Sequence, residues 1–153
     1  MRRAVLTALV LGALAGALSA CSIPRWPVDG TLTSPYGLRH NGGVRFQIHR
    51  GVDIQVPTGA PVRAMAPGRV HFAGTMSGYG RVVILDHGRG IRSVYAHLAE
   101  LRVQEGQELR GRPVIGLAGA SGNASGTHLH FEILRDGNAE DPVTLLGSFP
   151  RPR

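Results

Sequence analysis

Histidines stand out in this chain because they occur in short patterns that could hold a metal ion. The 153 residues include seven histidines and one cysteine. Five candidate side chains lie in three segments: His49 and Asp53, then His97, then His128 and His130. Catalytic zinc sites use three such ligands and leave one position for water. A lone histidine is more often structural, but three segments together predict a catalytic metal site.

Two other metal sites use related ligands. A structural zinc site has four protein ligands, usually cysteines, and Cys21 near the N-terminus is the only cysteine. An iron oxygenase triad also has two histidines and one carboxylate. Its His and Asp are usually separated by one residue, whereas three residues separate His49 from Asp53. That triad would also leave two histidines without a role, so we prefer catalytic zinc.

Strand alternation predicts how these side chains are presented. Residues i, i+2 and i+4 share one face of a β-strand. In the last segment His128 and His130 therefore share a face, and apolar residues occupy the other. In the middle segment His97 would share a face with Tyr95. We expect each segment to be a strand with one ligand face and one buried face.

The rest of the pattern predicts a mostly β fold. Alternating or β-branched runs at 81–86, 91–98 and 128–134 are separated by Gly, Pro or Asn. The 22 glycines and 10 prolines disfavour long helices, and only 98–103 could hold a helical turn. We expect a compact antiparallel β-sheet or sandwich domain with a groove-like metal site.

The N-terminus resembles a bacterial lipoprotein signal. Arg2 and Arg3 precede an apolar stretch, 4–17, and a basic start followed by a short apolar stretch is typical of secretory signals. A membrane helix, the alternative, needs ~20 residues. The sequence LSAC (18–21) resembles a lipobox, whose cysteine becomes lipid-modified. Acylation would account for Cys21, which has no disulfide partner in the chain; the alternative is an incidental cysteine.

These patterns divide the chain into a signal peptide (1–20), a lipidated cysteine and tether (21–29), a domain (30–147) and a frayed tail (148–153). Removing the signal takes away two arginines, so the formal net charge falls from +7 to +5. A moderately basic exported domain suits anionic polymers such as cell wall or a membrane surface. Nucleic acid is the other usual partner of positive charge, but the arginines form no basic run.

The motifs resemble those of the lysostaphin/LytM-type zinc metallopeptidases, which hydrolyse peptidoglycan. The resemblance extends from about Thr33 to Leu146. Five segments carry it, from the opening turn through three site motifs to the closing turn: SPYGLR (34–39), HRGVDIQVPTGAPV (49–62), YAHL (95–98), GASGNASGTHLHFEI (119–133) and DPV (141–143). Arg39 replaces a Tyr of members that cut glycine bridges, so glycine-bridge specificity is not expected.

The resemblance implies a ligand set that spacing alone leaves open. It implies one zinc ion per chain, held by His49, Asp53 and His130. It makes His97 and His128 catalytic histidines that do not bind the metal. One of these, His97 in our preferred assignment, would accept a proton from water. The other would stabilise an oxyanion or protonate the leaving amine, and the two roles could be exchanged.

The implied function is zinc-dependent endopeptidase cleavage of peptidoglycan crosslinks or stem peptides. Arg39 is a candidate clamp for a substrate carboxylate, because Arg binds carboxylates through two hydrogen bonds. Ser22 after Cys21 resembles outer-membrane sorting patterns. We therefore expect a lipid-anchored enzyme that faces the periplasm, acts on the wall close to the outer membrane and cuts D-alanyl–diaminopimelate bonds.

Two other functions fit parts of the pattern. One is a catalytically inactive, wall-binding activator of a peptidoglycan amidase; such members of the family lose zinc ligands, whereas all five site residues are present here. The other is a structural wall-binding lipoprotein, which would have no use for an open metal site. Of the remaining histidines, we expect His71 to face solvent, His87 to lie in a turn and His40 to be able to line the cleft mouth.

Overall fold

The computed structural model describes residues 23–40 and 46–150. The described part is mostly antiparallel β-sheet, as the sequence predicts, with one short helix. Its elements are β1 (Thr31–Ser34), β2 (Gly37–His40), β3 (Phe46–His49), β4 (Val52–Gln55), β5 (Pro61–Arg63), β6 (Gly68–Met76), β7 (Gly80–Asp86), β8 (Ile91–Leu101), β9 (Glu108–Leu109), β10 (Val114–Ala118), β11 (His128–Arg135), β12 (Asn138–Glu140) and α1 (Pro142–Leu146).

Ten strands form one sheet, and β2 and β3 form a separate two-stranded hairpin. The main path of the sheet runs β1-β4-β11-β8-β7-β6-β9, while β10 pairs with β5 and β8, and β12 pairs with β11. The strands β4, β11 and β8 are neighbours, although the chain between them is long. Because each of these strands carries one of the histidine segments, the sheet brings the three segments together.

The core covers one face of these central strands. Val52 and Ile54 of β4 are fully buried, as are Leu129, Phe131 and Ile133 of β11. These residues are the apolar positions that strand alternation predicts. Burying a side chain of this size contributes roughly 1.5–3 kcal/mol to folding. The apolar face therefore fixes the orientation of the strands, and the alternate residues are directed to the opposite face.

Both ends of the described chain pack on this core. Trp26 and Val28 are buried, and the Trp26 ring centroid lies 6.2 Å from that of Phe131 and 4.8 Å from that of Phe149. Trp26 of the predicted tether (21–29) and Phe149 of the predicted tail (148–153) therefore contact the domain, because their rings pack on one another and on the core. The predictions for 1–20 and Cys21 fall outside the described residues.

Two local expectations also differ from the structure. Residues 98–103 do not form a helical turn, because β8 continues to Leu101 and pairs with β10. The helix occurs instead at Pro142–Leu146, where the Asp141 side chain accepts a hydrogen bond from the backbone N–H of Val143 at 3.0 Å. Such a cap stabilises the first turn of a helix. Within the described ranges, no helix has the length and apolar character needed to cross a bilayer.

Candidate metal centre

The three predicted ligands meet at the junction of β3, β4 and β11. His49 ends β3, and the register of β4 and β11 sets Asp53 directly opposite His130. Gly51 lies in the short connection between β3 and β4. A Cβ at this position would collide with the carbonyl oxygen of Phe131, so glycine permits the connection to cross close to β11. This close approach brings the His49 ring beside the other two ligands.

The distances between the ligand atoms suit a metal ion. His49 Nε2 lies 3.2 Å from Asp53 Oδ1 and 3.2 Å from His130 Nδ1, and His130 Nδ1 lies 2.8 Å from Asp53 Oδ1. Donor atoms at ~2.0–2.2 Å from a tetrahedral zinc ion are about 3.3–3.6 Å apart. A small outward movement of the carboxylate would therefore admit the ion, and the three residues fit zinc in both type and spacing.

Hydrogen bonds fix which nitrogen of each histidine ligand faces the cluster. His49 Nδ1 lies 2.7 Å from the carbonyl oxygen of Pro35, which can only accept, so this nitrogen donates its proton there. Nε2 of His49 faces Asp53 and His130 and is the atom that this ring would offer to a metal. His130 donates from Nε2 to Oε1 of Glu132 at 3.0 Å, which leaves Nδ1 as the ligand atom. Metal-binding histidines in general have such an outer partner.

A cationic group already lies against this cluster. Nη2 of Arg39 is 2.5 Å from Asp53 Oδ2 and 2.8 Å from His49 Nε2. The guanidinium shows that the donor set attracts positive charge, which is what a metal site requires. Arg39 is the residue for which we predict a substrate-carboxylate contact. Here its partner is Asp53, so that role would require Arg39 to exchange one carboxylate for another.

The electrostatics of the cluster favour a charged pair in the metal-free protein. Burial would raise the pKa of Asp53, but hydrogen bonds from His130, His49 and Arg39 hold this pKa well below its ordinary value. Burial would lower the pKa of His130, but its hydrogen bonds to Asp53 and Glu132 raise this pKa to about 9. At neutral pH the His130 imidazolium therefore faces an Asp53 carboxylate, and a metal ion must displace its proton.

His97 reaches the site through a break in the alternation of β8. The register of β8 and β11 sets Ala96 opposite His130, so Tyr95 lies on the core face. Regular alternation would direct His97 to the core as well. Instead its φ is 61°, and its ring centroid lies 4.7 Å from that of His128. The expectation that His97 shares a face with Tyr95 is wrong, because this irregularity redirects the side chain, as β-bulges do near active sites.

The two remaining histidines present the same ring nitrogen for chemistry. His97 donates from Nδ1 to the carbonyl oxygen of Ser121 at 2.8 Å, and His128 donates from Nδ1 to that of Gly126 at 2.9 Å. In its neutral form each therefore has the lone pair on Nε2. His128 Nε2 lies 3.8 Å from Asp53 Oδ1. Burial lowers the pKa of His97, which keeps this ring neutral, and able to accept a proton, at pH 7.

These side chains line an open groove of about 360 Å³. The β2–β3 hairpin, the turn between β6 and β7, and the loop before β11 contribute its walls. An open groove can receive an extended chain from either end. The lining residues outside the five predicted site residues include Arg39, Gln47, Arg50, Tyr79, Ser125 and Glu132.

Glu132 and Tyr79 line the same groove, although neither is among the residues predicted from the sequence. Glu132 follows His130 at i+2, so its place on the ligand face could have been inferred from alternation alone. Tyr79 lies in the turn before β7 and donates from its hydroxyl to Glu132 Oε1 at 2.7 Å. Burial and this hydrogen bond raise the pKa of Tyr79 to about 12. Nothing in its local sequence indicates that it reaches β11.

The other histidines lie elsewhere. His71 is exposed on β6, as expected. His87 follows β7, but it is not a simple solvent-facing turn residue: its ring is hydrogen-bonded to the Pro67 carbonyl oxygen and to the Ser93 hydroxyl, each at 2.7 Å. Burial lowers its pKa. The prediction for the side chain of His40 falls outside what the structure describes.

Comparison with known proteins identifies the family. Residues 47–142 match Peptidase family M23, and the chain belongs to that family. The resemblance to lysostaphin/LytM-type metallopeptidases is thereby confirmed, and so is the mostly antiparallel β fold.

Its relatives are longer proteins of two kinds. The chain is 38% identical over 115 residues to DD-carboxypeptidase/endopeptidase Mpg of Neisseria meningitidis, covering 74% of this chain and 26% of that protein. It is also 38% identical over 122 residues to murein hydrolase activator EnvC of Escherichia coli, covering 80% and 28%. A zinc containing peptidase from Vibrio cholerae matches with a TM-score of 0.75 and 31% identity, over 84% of this chain and 40% of that chain. The chain thus spans less than a third of these two curated relatives.

Proposed function

We propose that this protein is a zinc-dependent endopeptidase that cleaves peptide crosslinks in peptidoglycan. The observation that carries the proposal is the meeting of His49, Asp53 and His130 beside two further histidines in an open groove. The names of two similar proteins support it, since one is a DD-carboxypeptidase/endopeptidase and the other a zinc containing peptidase.

Zinc is the metal that we assign to this donor set, with one ion per chain. Two imidazoles and one carboxylate are typical of catalytic zinc sites that keep a position for water. When bound, zinc polarises the scissile carbonyl and lowers the pKa of a water ligand to about 7. The protein's own part is to hold the three ligand atoms in place and to keep the His49 and His130 rings in the correct tautomers.

We assign the proton transfers to the two histidines outside the ligand set. His97 Nε2 accepts a proton from the attacking water, because this ring is neutral and its Nδ1 proton is held by Ser121. His128 Nε2 donates a hydrogen bond to the developing oxyanion, or passes a proton to the leaving amine, once it is protonated. A positioned acid or base contributes about 10²–10⁴-fold in rate.

The shape and charge of the groove support this substrate class. A stem peptide needs an open, elongated site, and its free carboxylates need cationic partners. Arg50 lines the groove with its side chain 54% exposed, at 3.9 Å from the buried Glu132 carboxylate. We propose that the bond cleaved is the D-alanyl–diaminopimelate crosslink, reached by an exported enzyme that is anchored through Cys21 to the outer membrane.

The second candidate is an activator of a peptidoglycan amidase that does no chemistry itself. The similarity to murein hydrolase activator EnvC favours it. Against it stands the complete set of five site residues, since an activator has no need of a metal ligand or a general base. A protein that binds peptidoglycan, contains no zinc and stimulates an amidase would fit this candidate.

One experiment separates the two functions. The domain is purified, its zinc content is measured, and it is incubated with purified peptidoglycan whose products are identified by mass spectrometry. The endopeptidase predicts stoichiometric zinc and loss of crosslinked muropeptides in favour of monomers. An unchanged muropeptide profile, together with stimulation of an added amidase and no bound zinc, would replace the endopeptidase with the activator.

A further inference from the structure

We propose that Tyr79 is a positioning residue for the metal site, acting through Glu132 on the ligand His130. The inference rests on the proposed zinc function and adds two residues to it. Tyr79 lies in the turn between β6 and β7, 53 residues from Glu132, and is one strand away from the β8–β11 pair. Its hydroxyl reaches the metal centre from outside the three strands that carry the predicted ligands.

Glu132, whose carboxylate links Tyr79 to His130, is only 1% exposed. Oε1 accepts from the Tyr79 hydroxyl at 2.7 Å and from His130 Nε2 at 3.0 Å, so two donors converge on one oxygen. Oε2 is buried and has no hydrogen-bond partner among the described residues. A buried carboxylate is costly unless it is hydrogen-bonded. Tyr79 is therefore the partner that holds Oε1 independently of His130.

The position of the Glu132 carboxylate determines how the His130 ring is oriented. This ring can turn about the Cβ–Cγ bond, and the hydrogen bond from Nε2 to Glu132 selects the orientation in which Nδ1 faces His49 and Asp53. If Oε1 were free to move, this selection would weaken. Outer partners of this kind typically change metal affinity by about 10–100-fold when they are removed.

Tyr79 itself is held in place by hydrogen bonds of its main chain. Its carbonyl oxygen accepts from the backbone N–H of His97 at 2.9 Å, and Gly78 accepts from the N–H of Asn123 at 2.9 Å. A Cβ at Gly80 would collide with Ser121, so this turn packs closely on the loop that also fixes the His97 ring. The hydroxyl thus projects from a turn that is anchored on two sides.

The test measures zinc affinity rather than turnover. Tyr79→Phe removes only the hydroxyl and keeps the main-chain contact to His97. We expect its zinc dissociation constant, from competition with a chromogenic chelator, to rise about 10–100-fold, while excess zinc restores activity. The matched control is Tyr36→Phe, which removes a hydroxyl donated to the Ala139 carbonyl oxygen at 3.0 Å. This control should bind zinc as the wild type does.

Substitution of Glu132 separates positioning from general destabilisation. Glu132→Gln keeps an oxygen acceptor and should retain more zinc affinity than Glu132→Leu. If Tyr79 acts through Glu132, adding Tyr79→Phe to Glu132→Leu should cause no further loss, because coupled residues are not additive. Additive losses, or equal zinc affinity in Tyr79→Phe and Tyr36→Phe, would overturn the proposal.

Zinc affinity, measured together with peptidoglycan cleavage, distinguishes this proposal from the proposed function. A wild-type protein that binds zinc and shows the Tyr79–Glu132 coupling, but leaves peptidoglycan uncut, would overturn the endopeptidase and keep the positioning role. A wild-type protein without zinc affinity would overturn both.

Discussion

His49 Nε2 and His130 Nδ1 lie 3.2 Å apart, although their positions in the sequence differ by 81. The pairing of β4 with β11 creates this contact, because it sets Asp53 opposite His130 and leaves the end of β3 beside both. Each ligand comes from a different strand, so the loss of one side chain should leave the sheet intact. Substitutions can therefore test the site separately from the fold.

Replacement of one ligand should empty the site. We expect His130→Ala to lose both zinc and activity, because two remaining ligands cannot hold the ion tightly and catalytic sites need three. Zinc content and peptidoglycan turnover measure this outcome. His71→Ala, at an exposed position on β6, is the control and should change neither quantity. A zinc-replete His130→Ala protein would contradict the ligand assignment.

Replacement of His97 should affect rate without affecting metal. We expect His97→Ala to keep its zinc and to lose about 10²–10⁴-fold in turnover, the usual contribution of a general acid or base. Metal analysis and steady-state rates on the same sample provide the measurement. If the substitution instead released the zinc, the division between ligands and catalytic histidines would be wrong.

Much of this site follows from sequence periodicity, and one part does not. Alternation correctly predicts that Leu129 and Phe131 are buried while His130 faces the ligands. It fails at His97, because a single left-handed residue reverses the side to which the strand directs its side chain. Such an irregularity depends on the packing of two neighbouring loops.

The other residues that sequence analysis did not select show the same limit. Tyr79 reaches Glu132 across the sheet, and only the strand order brings them together. The flanking residues Pro24 and Pro27 place Trp26 in the predicted tether. The burial of Trp26 depends on the distant residues Phe131 and Phe149, and no local pattern encodes these contacts.

The pH dependence of activity should have an acid limb set by His97. Burial lowers the pKa of His97 from the ordinary value of 6.5, and a general base must be unprotonated. The pH of half-maximal activity on this limb should therefore lie below 6.5. Turnover of zinc-loaded protein in overlapping buffers measures the limb. Zinc content must be followed in parallel, since acid also releases metal. A half-maximal activity above pH 6.5 while zinc stays bound would contradict the assignment.

The stability of the metal-free protein should fall as the pH rises above neutrality. The pKa of His130 is raised from 6.5 to about 9, so its stabilising effect is complete below pH 6.5 and is lost between pH 6.5 and about 9. The lowered pKa of Asp53 adds stability that is lost only as the pH falls below 3.8. Melting temperatures in a chelator should thus decline from pH 6.5 to 9.

Two comparisons make this stability profile specific to the pair. Asp53→Asn removes the carboxylate that His130 faces, so its melting temperature should vary less over the same pH range. Excess zinc should oppose the decline, because metal binding requires His130 without its Nδ1 proton. A chelated wild type whose stability is constant from pH 6.5 to 9 would contradict the charged pair.

The last prediction concerns where the protein is held. The LSAC sequence and the absence of a second cysteine predict a lipid on Cys21, and Trp26 packs on the side of β11 opposite to His130. From Cys21 to Trp26 the chain can span at most ~18 Å at about 3.3–3.6 Å per residue. An anchored domain would therefore stay close to its membrane, with the groove on the other side of the sheet from the anchored segment.

Cys21→Ser should block acylation and leave the signal uncleaved, which fractionation and mass analysis of the N-terminus can detect. Wild-type protein that is processed but carries no lipid would refute the anchor and leave the peptidase proposal unaffected.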